Sequence, residues 1–321
     1  MVHISRRHFL QATGAALATW GLDRAINRHH TVLAQPTRRK LALIVGINTY
    51  EKAPLAGCVN DAILQQRLLV HRYGFNPDDV VLLLDENATR QTILDTFEEH
   101  LIKQAKPDDV VVFHYSGHGS LVRDPDPIFL DRRDRGVNGT FVPVDSSLPS
   151  RYPAEGGTVN DIMGHTLFLL MAALQTDNFT AVLDSCYSGG ATRDLTVRSR
   201  DVNEKITIAP HEKAYQEDWL ARLDWSEDEF IERYRRGVAK GVVLASAQRD
   251  QLAIDEQFPG FRAGAFSYRL TQHLWQTDAT PQGAIAHINE ILPRHDTQKP
   301  LWEAAAGSGS ELDPIYFVNE P

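Results

Sequence analysis

Leu41-Ala42-Leu43-Ile44-Val45-Gly46-Ile47 is an unbroken apolar run of strand length. A strand without polar alternation is covered on both faces, as in parallel sheets. Outward from it, 60–73 places Ala62, Leu64, Leu68 and Leu69 at helical spacing, and Val80–Leu84 reads as a second strand. Thr89 is positioned to cap a helix whose stripe is Ile93, Phe97 and Leu101, with Leu94 and Ile102. Residues 110–115, Phe179–Asp184 and 241–245 supply further strands. This alternation predicts βαβ units: an α/β fold, with a central, mostly parallel sheet flanked by helices.

The chain has 321 residues, 42% hydrophobic and 23% charged, which excludes wholesale disorder and leaves room for one large core. A net charge of -9 speaks against a nucleic-acid binder. Two cysteines leave no disulfide framework and no four-ligand zinc site of Cys and His. Residues 1–34 read as an export signal. Ser5-Arg6-Arg7-His8-Phe9-Leu10 has the twin-arginine form, 11–22 is uncharged, and Val32-Leu33-Ala34 is a loose cleavage site. The expected destination is the periplasm or an equivalent extracytoplasmic compartment; an amphipathic N-terminal helix is the plainer alternative. The apolar run is too short to span a bilayer, so no stable membrane span is expected in the mature chain.

Function in parallel sheets gathers beyond the carboxyl ends of the strands. There the sequence holds Gly57-Cys58-Val59-Asn60-Asp61, Tyr115-Ser116-Gly117-His118-Gly119, and Asp184-Ser185-Cys186-Tyr187-Ser188-Gly189-Gly190. None is a phosphate fingerprint, since Gly117-His118-Gly119 lacks a third glycine. Cys186 and His118 fall past strand ends on the same sheet edge. An imidazole that takes the thiol proton and returns it to a leaving amine makes such a pair a nucleophilic centre. His114 lies inside its strand on the face of Val110 and Val112 and reads as a core histidine. His71, His100 and His273 read as solvated.

These motifs resemble the caspase-like cysteine peptidases of the metacaspase and bacterial orthocaspase branch, over roughly residues 40–320. The likeness includes Leu41–Tyr50 and Gly264-Ala265-Phe266-Ser267-Tyr268, while the animal caspase pentapeptide around the cysteine is absent. The resemblance implies a caspase-like α/β/α sandwich, with Cys186 as nucleophile and His118 as general acid/base. It implies an oxyanion hole of the Gly119 and Cys186 backbone N–H groups and a primary specificity (S1) pocket of Asp61, Ser116 and Asp184. Two carboxylates and a hydroxyl suit a guanidinium or ammonium group, so protein or peptide substrates with Arg, and also Lys, before the scissile bond (P1) are expected. The bland alternative has Asp61 and Asp184 capping backbone amides.

On this reading 35–190 is a large-subunit-like catalytic region, and 241–321 is a small-subunit-like region completing the same domain. Residues 191–240 form a linker carrying Arg193, Arg198, Arg200, Lys205 and Lys213, helical from about His211 to Arg236; it is either a self-cleavage region or an uncut surface insertion. Many metacaspases use calcium, and Asp124, Asp126, Asp131 and Asp134 lie where the resemblance would place ligands. Arg123, Arg132, Arg133 and Arg135 interleave them and 136–140 is not acidic, so ion pairs, and no metal or cofactor, are expected. Cys58 reads as a buried structural thiol. Two other functions remain open from sequence: a catalytically silent caspase-like binding or signalling module, and another hydrolase or transferase on the same sheet.

Overall fold

β1 (Lys40–Gly46) divides its side chains by parity. Leu41, Leu43 and Val45 enter one core and Ala42 and Ile44 the other, all fully buried. That is what an apolar run without alternation requires. The structure, a computed structural model, describes residues 38–129, 136–186, 198, 200, 205–248, 251–292, 298–307 and 312–316. The expected export signal and Asp131, Asp134, Arg132, Arg133, Arg135, Tyr187 to Gly190 and Arg193 lie outside them.

The remaining strands are β2 (Val80–Leu84), β3 (Val110–Ser116), β4 (Gly119–Arg123), β5 (Val137–Phe141), β6 (Gly157–Val159), β7 (Ile162–Met163), β8 (Phe179–Asp184), β9 (Ile206–Ile208), β10 (Val242–Ala245), β11 (Asp255–Phe258), β12 (Phe261–Gly264) and β13 (Leu301–Ala304). Five of them join β1 in the main sheet, in the order β13-β10-β8-β3-β1-β2, parallel except for β13. β3 repeats the parity of β1: Val111, Phe113 and Tyr115 face the first core, Val110 and Val112 the second. His114 is buried among the second set, and burial, with the Arg198 charge, pushes its ring down to about 3, so it stays neutral.

The helices are α1 (Cys58–Arg72), α2 (Arg90–Thr96), α3 (Gly164–Ala172), α4 (Pro210–Leu223), α5 (Glu227–Arg235), α6 (Ala265–Gln276) and α7 (Pro281–Ile291). α1, α6 and α7 cover the second core; α2 to α5 supply apolar side chains to the first. Thr89 caps α2 as expected, its Oγ1 accepting from the Thr92 N–H at 3.2 Å. The single helix expected over Ile93, Phe97 and Leu101 is instead α2 followed by a π-helical segment, Phe97–Ile102.

Four further expectations change. The 205–240 half of the linker is not a surface insertion: Trp219 and Phe230 enter the first core, and buried Glu212 pairs with Arg90. Its expected single helix breaks into α4 and α5 at Asp224, whose left-handed φ of 56° ends α4, while Ser226 caps α5. His100 is not solvated; it is buried, with Nε2 at 3.0 Å from the Asp79 carbonyl. His273 is half-buried, stacked on His287.

A five-stranded sheet, β6-β9-β4-β5-β7, extends from the end of β3, since β4 starts one residue after His118. Among the described residues no helix is long and apolar enough to cross a membrane.

Candidate active site

The site begins with register. β1, β3 and β8 run parallel, so Gly46, Ser116 and Asp184 lie side by side at their carboxyl ends. α1 starts beyond β1 and places Asp61 one turn into the helix, facing the same point. The Ser116 hydroxyl donates to Asp61 Oδ2 at 2.7 Å. All three residues are fully buried.

A buried cation, Arg198 of the linker, sits among them. Its Nη2 lies 2.7 Å from Asp61 Oδ2 and 2.9 Å from Asp255 Oδ1; its Nη1 is 3.2 Å from Asp184 Oδ2 and donates to Ser116 Oγ at 2.7 Å. Burial alone would lower the basicity of this guanidinium, but Asp184, Asp61, Cys58 and Asp255 outweigh it and raise it. Asp61 is pushed up to about 7: burial is the largest cause, Arg198 opposes it and Asp184 adds to it.

The 264–268 motif closes this pocket. The Gly264 N–H donates to Asp61 Oδ1 at 2.9 Å and the Ser267 N–H to Asp184 Oδ2 at 3.1 Å. A Cβ on Gly264 would stand 2.1 Å from Asp184 Oδ2, so only glycine fits there. Gly57 plays the same part for Asp255, whose Oδ1 would lie 2.0 Å from an added Cβ.

The Arg198 backbone is held as closely as its side chain. Its carbonyl oxygen accepts from the Gly119 N–H at 3.0 Å and the Cys186 N–H at 3.2 Å, and its own N–H donates to Ala253 O at 3.0 Å. Two amides converging on one oxygen bring the end of β8 and the residue after His118 to opposite sides of one carbonyl group.

His118 is buried and fixed from several sides. Its N–H donates to Tyr50 Oη at 2.9 Å, and its carbonyl accepts from the Tyr115 hydroxyl at 2.8 Å. A Cβ on Gly117 would meet both tyrosine hydroxyls, at 2.5 and 2.8 Å, so that glycine makes room for protein, not for a ligand. Nε2 lies 2.7 Å from the Ala53 carbonyl, which can only accept. The neutral ring therefore carries its proton on Nε2 and leaves the lone pair on Nδ1, which is buried without a hydrogen-bond partner. Ala53 holds the left-handed φ of 56°, strained backbone of the kind found where a loop aims a group at a site. Burial, then the charges of Arg200 and Arg198, push the ring down to about 4.

Neither Cys186 nor Cys58 is in a disulfide. Cys58 is buried at the start of α1, its thiol pushed up by burial, so it stays protonated. Asp124 lies 3.7 Å from His165 and Asp126 pairs with Lys213 at 2.5 Å; among the described residues no three potential metal ligands gather.

Sequence reasoning named Asp61, Ser116, Asp184, Gly119, Cys186 and His118, and the structure brings them together. It missed Asp255, on a short hairpin strand with no motif around it, and it treated Arg198 only as one basic residue of the linker.

The sequence profile of the caspase domain matches residues 39–306. Metacaspase-1 of Yarrowia lipolytica is 35% identical over 170 residues, 51% of this chain and 34% of that protein. Metacaspase-1 of Schizosaccharomyces pombe is 34% identical over 160 residues, 48% of this chain and 35% of that protein. Metacaspase-1 of Candida albicans is 26% identical over 312 residues, 87% and 67% of the two chains. The chain thus spans about a third of the length of the first two relatives. Among solved structures, protein GSU0716 of Geobacter sulfurreducens superposes with a TM-score of 0.59 at 19% identity, covering 86% of this chain and 97% of that one; it shares the fold.

Proposed function

Because the chain belongs to the caspase-domain family of peptidases, we propose that it is a cysteine endopeptidase cutting after Arg, and also Lys, through Cys186 and His118. One observation carries the reading: Arg198 lies as a P1 residue would, its guanidinium among Asp61, Asp184 and Asp255 and its carbonyl oxygen on two backbone N–H groups.

The chemistry follows from the atoms present. His118 Nδ1 takes the Cys186 proton, and the thiolate adds to the P1 carbonyl carbon. Negative charge moves to the oxygen held by Gly119 and Cys186, where each such donor supplies about 10²–10³ in rate. The imidazolium, steadied by the Ala53 carbonyl, returns the proton to the leaving amine as the C–N bond breaks and a thioester remains. Water, deprotonated by His118, then splits the thioester to a carboxylic acid and the thiol. The oriented base and donors spare the reaction most of its reorganisation.

Peptide reporters differing only at P1 test this. Arg is expected fastest, Lys next, and Asp or Ala uncut, because an acidic side chain would face three carboxylates. No hydrolysis of any Arg reporter under reducing conditions, with or without calcium, would favour a silent binding module instead.

With the Arg198 guanidinium beside it the Asp61 carboxyl is pushed up to about 7, and its ionised form is the one that pairs with a basic side chain. KM for an Arg reporter is therefore expected to fall as pH rises through neutrality, and Asp61→Asn to remove that inflection. A wild-type KM that does not change across this range would contradict the role given to Asp61. Export by the twin-arginine segment is part of the same proposal; the mature N-terminus of secreted protein tests it.

A further inference from the structure

Two residues after Arg198, the linker makes a second set of contacts. The Arg200 N–H donates to the Gly119 carbonyl at 2.8 Å, and the Ser120 hydroxyl donates to the Arg200 carbonyl at 3.2 Å. Gly119 thus holds both arginines, its N–H on the Arg198 carbonyl and its own carbonyl on the Arg200 amide. The Arg200 guanidinium runs inward. Nη2 pairs with Asp161 Oδ2, and Nη1 donates to both the carbonyl and the hydroxyl of Ser146, each at 3.2 Å.

Asp161 is fully buried, just before β7. It accepts from the Thr140 hydroxyl at 2.6 Å and the Ser146 hydroxyl at 2.5 Å. Two hydroxyls fix its orientation but leave its charge uncompensated, and a buried carboxylate without a cation is costly. The Arg200 side chain meets that need while only 11% exposed.

We propose that Asp161 and Ser146, with Ser120 and the Gly119 carbonyl on the backbone, form a prime-side subsite that reads a basic residue two positions beyond the cut, P2′. The inference rests on the P1 reading above and narrows the substrate class to segments with the pattern basic-x-basic, as in Arg198-Ser199-Arg200. Arg fits better than Lys, because its planar fork reaches carboxylate and serine oxygens together whereas an ammonium group is a single point. An acidic P2′ residue would meet a buried like charge.

Internally quenched peptides test it, all with Arg at P1 and differing only at P2′. For the wild type, kcat/KM is expected to follow Arg, Lys, Ala, Glu, with Arg over Ala by about tenfold to a hundredfold. In Asp161→Asn the Arg-to-Ala ratio is expected to drop to near one. The wild-type series decides even where that variant fails to fold. Cleavage after P1 Arg with no P2′ preference overturns the subsite and leaves the P1 reading standing. A preference that persists in Asp161→Asn also overturns it, by moving recognition elsewhere. If no Arg peptide is cut at all, the P1 reading fails and the subsite falls with it.

Discussion

Wild-type chain held at neutral pH is expected to separate on a denaturing gel into two fragments that meet at Arg198, whereas Cys186→Ala remains one band of 36.0 kDa. The expectation follows from the way Arg198 is held. Its side chain is anchored by ion pairs to Asp61, Asp184 and Asp255, its carbonyl by two amides, and its N–H by Ala253. A carbonyl so fixed against the backbone of Cys186 and of Gly119, the residue after His118, has met the translational and rotational cost of the proposed reaction before any chemistry, an advantage of about 10⁵ M or more in effective molarity. Removing Sγ removes the nucleophile that breaks that bond. Mass spectrometry of the larger fragment should end it at Arg198, and Arg198→Ala should abolish the cut at that point. Identical banding of wild type and Cys186→Ala would reject self-cleavage.

The second large effect belongs to Asp184. Asp184→Asn is expected to lower kcat/KM for Arg reporters by about 10²–10³, the scale on which a fully buried charge pair is broken. The fold should survive. Three carboxylates face one guanidinium in this pocket, and Asp184 pushes Asp61 towards its neutral form, so deleting one charge relieves repulsion as well as attraction. The variant's amide can still accept from the Ser267 N–H that Asp184 now takes at 3.1 Å. A melting temperature held or raised, together with lost Arg cleavage, is the expected signature. Arg cleavage at the wild-type rate would mean that this pocket does not select the P1 residue.

What sequence could reveal followed the strands. The 41–47 run, the parity of β1 and β3, and the motifs at strand ends were legible because burial on two faces and position at a carboxyl edge leave local marks. Hence Ser116 and Asp184, register partners, could be placed together without coordinates. Asp255 and Asp161 left no such mark. Each gains its meaning from a segment that returns from elsewhere, Asp255 across the β11–β12 hairpin and Asp161 beneath the linker. The second sheet was equally silent, since strands of two to five residues carry too few side chains for an alternation to show. The glycine beside His118 was visible, but its purpose was not, because two tyrosine hydroxyls from Tyr50 and Tyr115 create the need for it.

The nearness of Arg198 to Cys186 along the chain has one more consequence. Eleven residues separate them, and a tether of that length presents its end at an effective concentration of about 1 mM. A foreign peptide at micromolar levels and equal intrinsic affinity would find the pocket taken nearly always. Cutting after Arg198 does not lengthen this tether, since Arg198 stays on the Cys186 side of the break. What the cut ends is the joint hold of two anchors, Arg198 in one pocket and Arg200 in the other. On the proposed reaction, self-cleavage acts as a change of valency: a two-point internal ligand becomes a one-point ligand that outside substrates can displace.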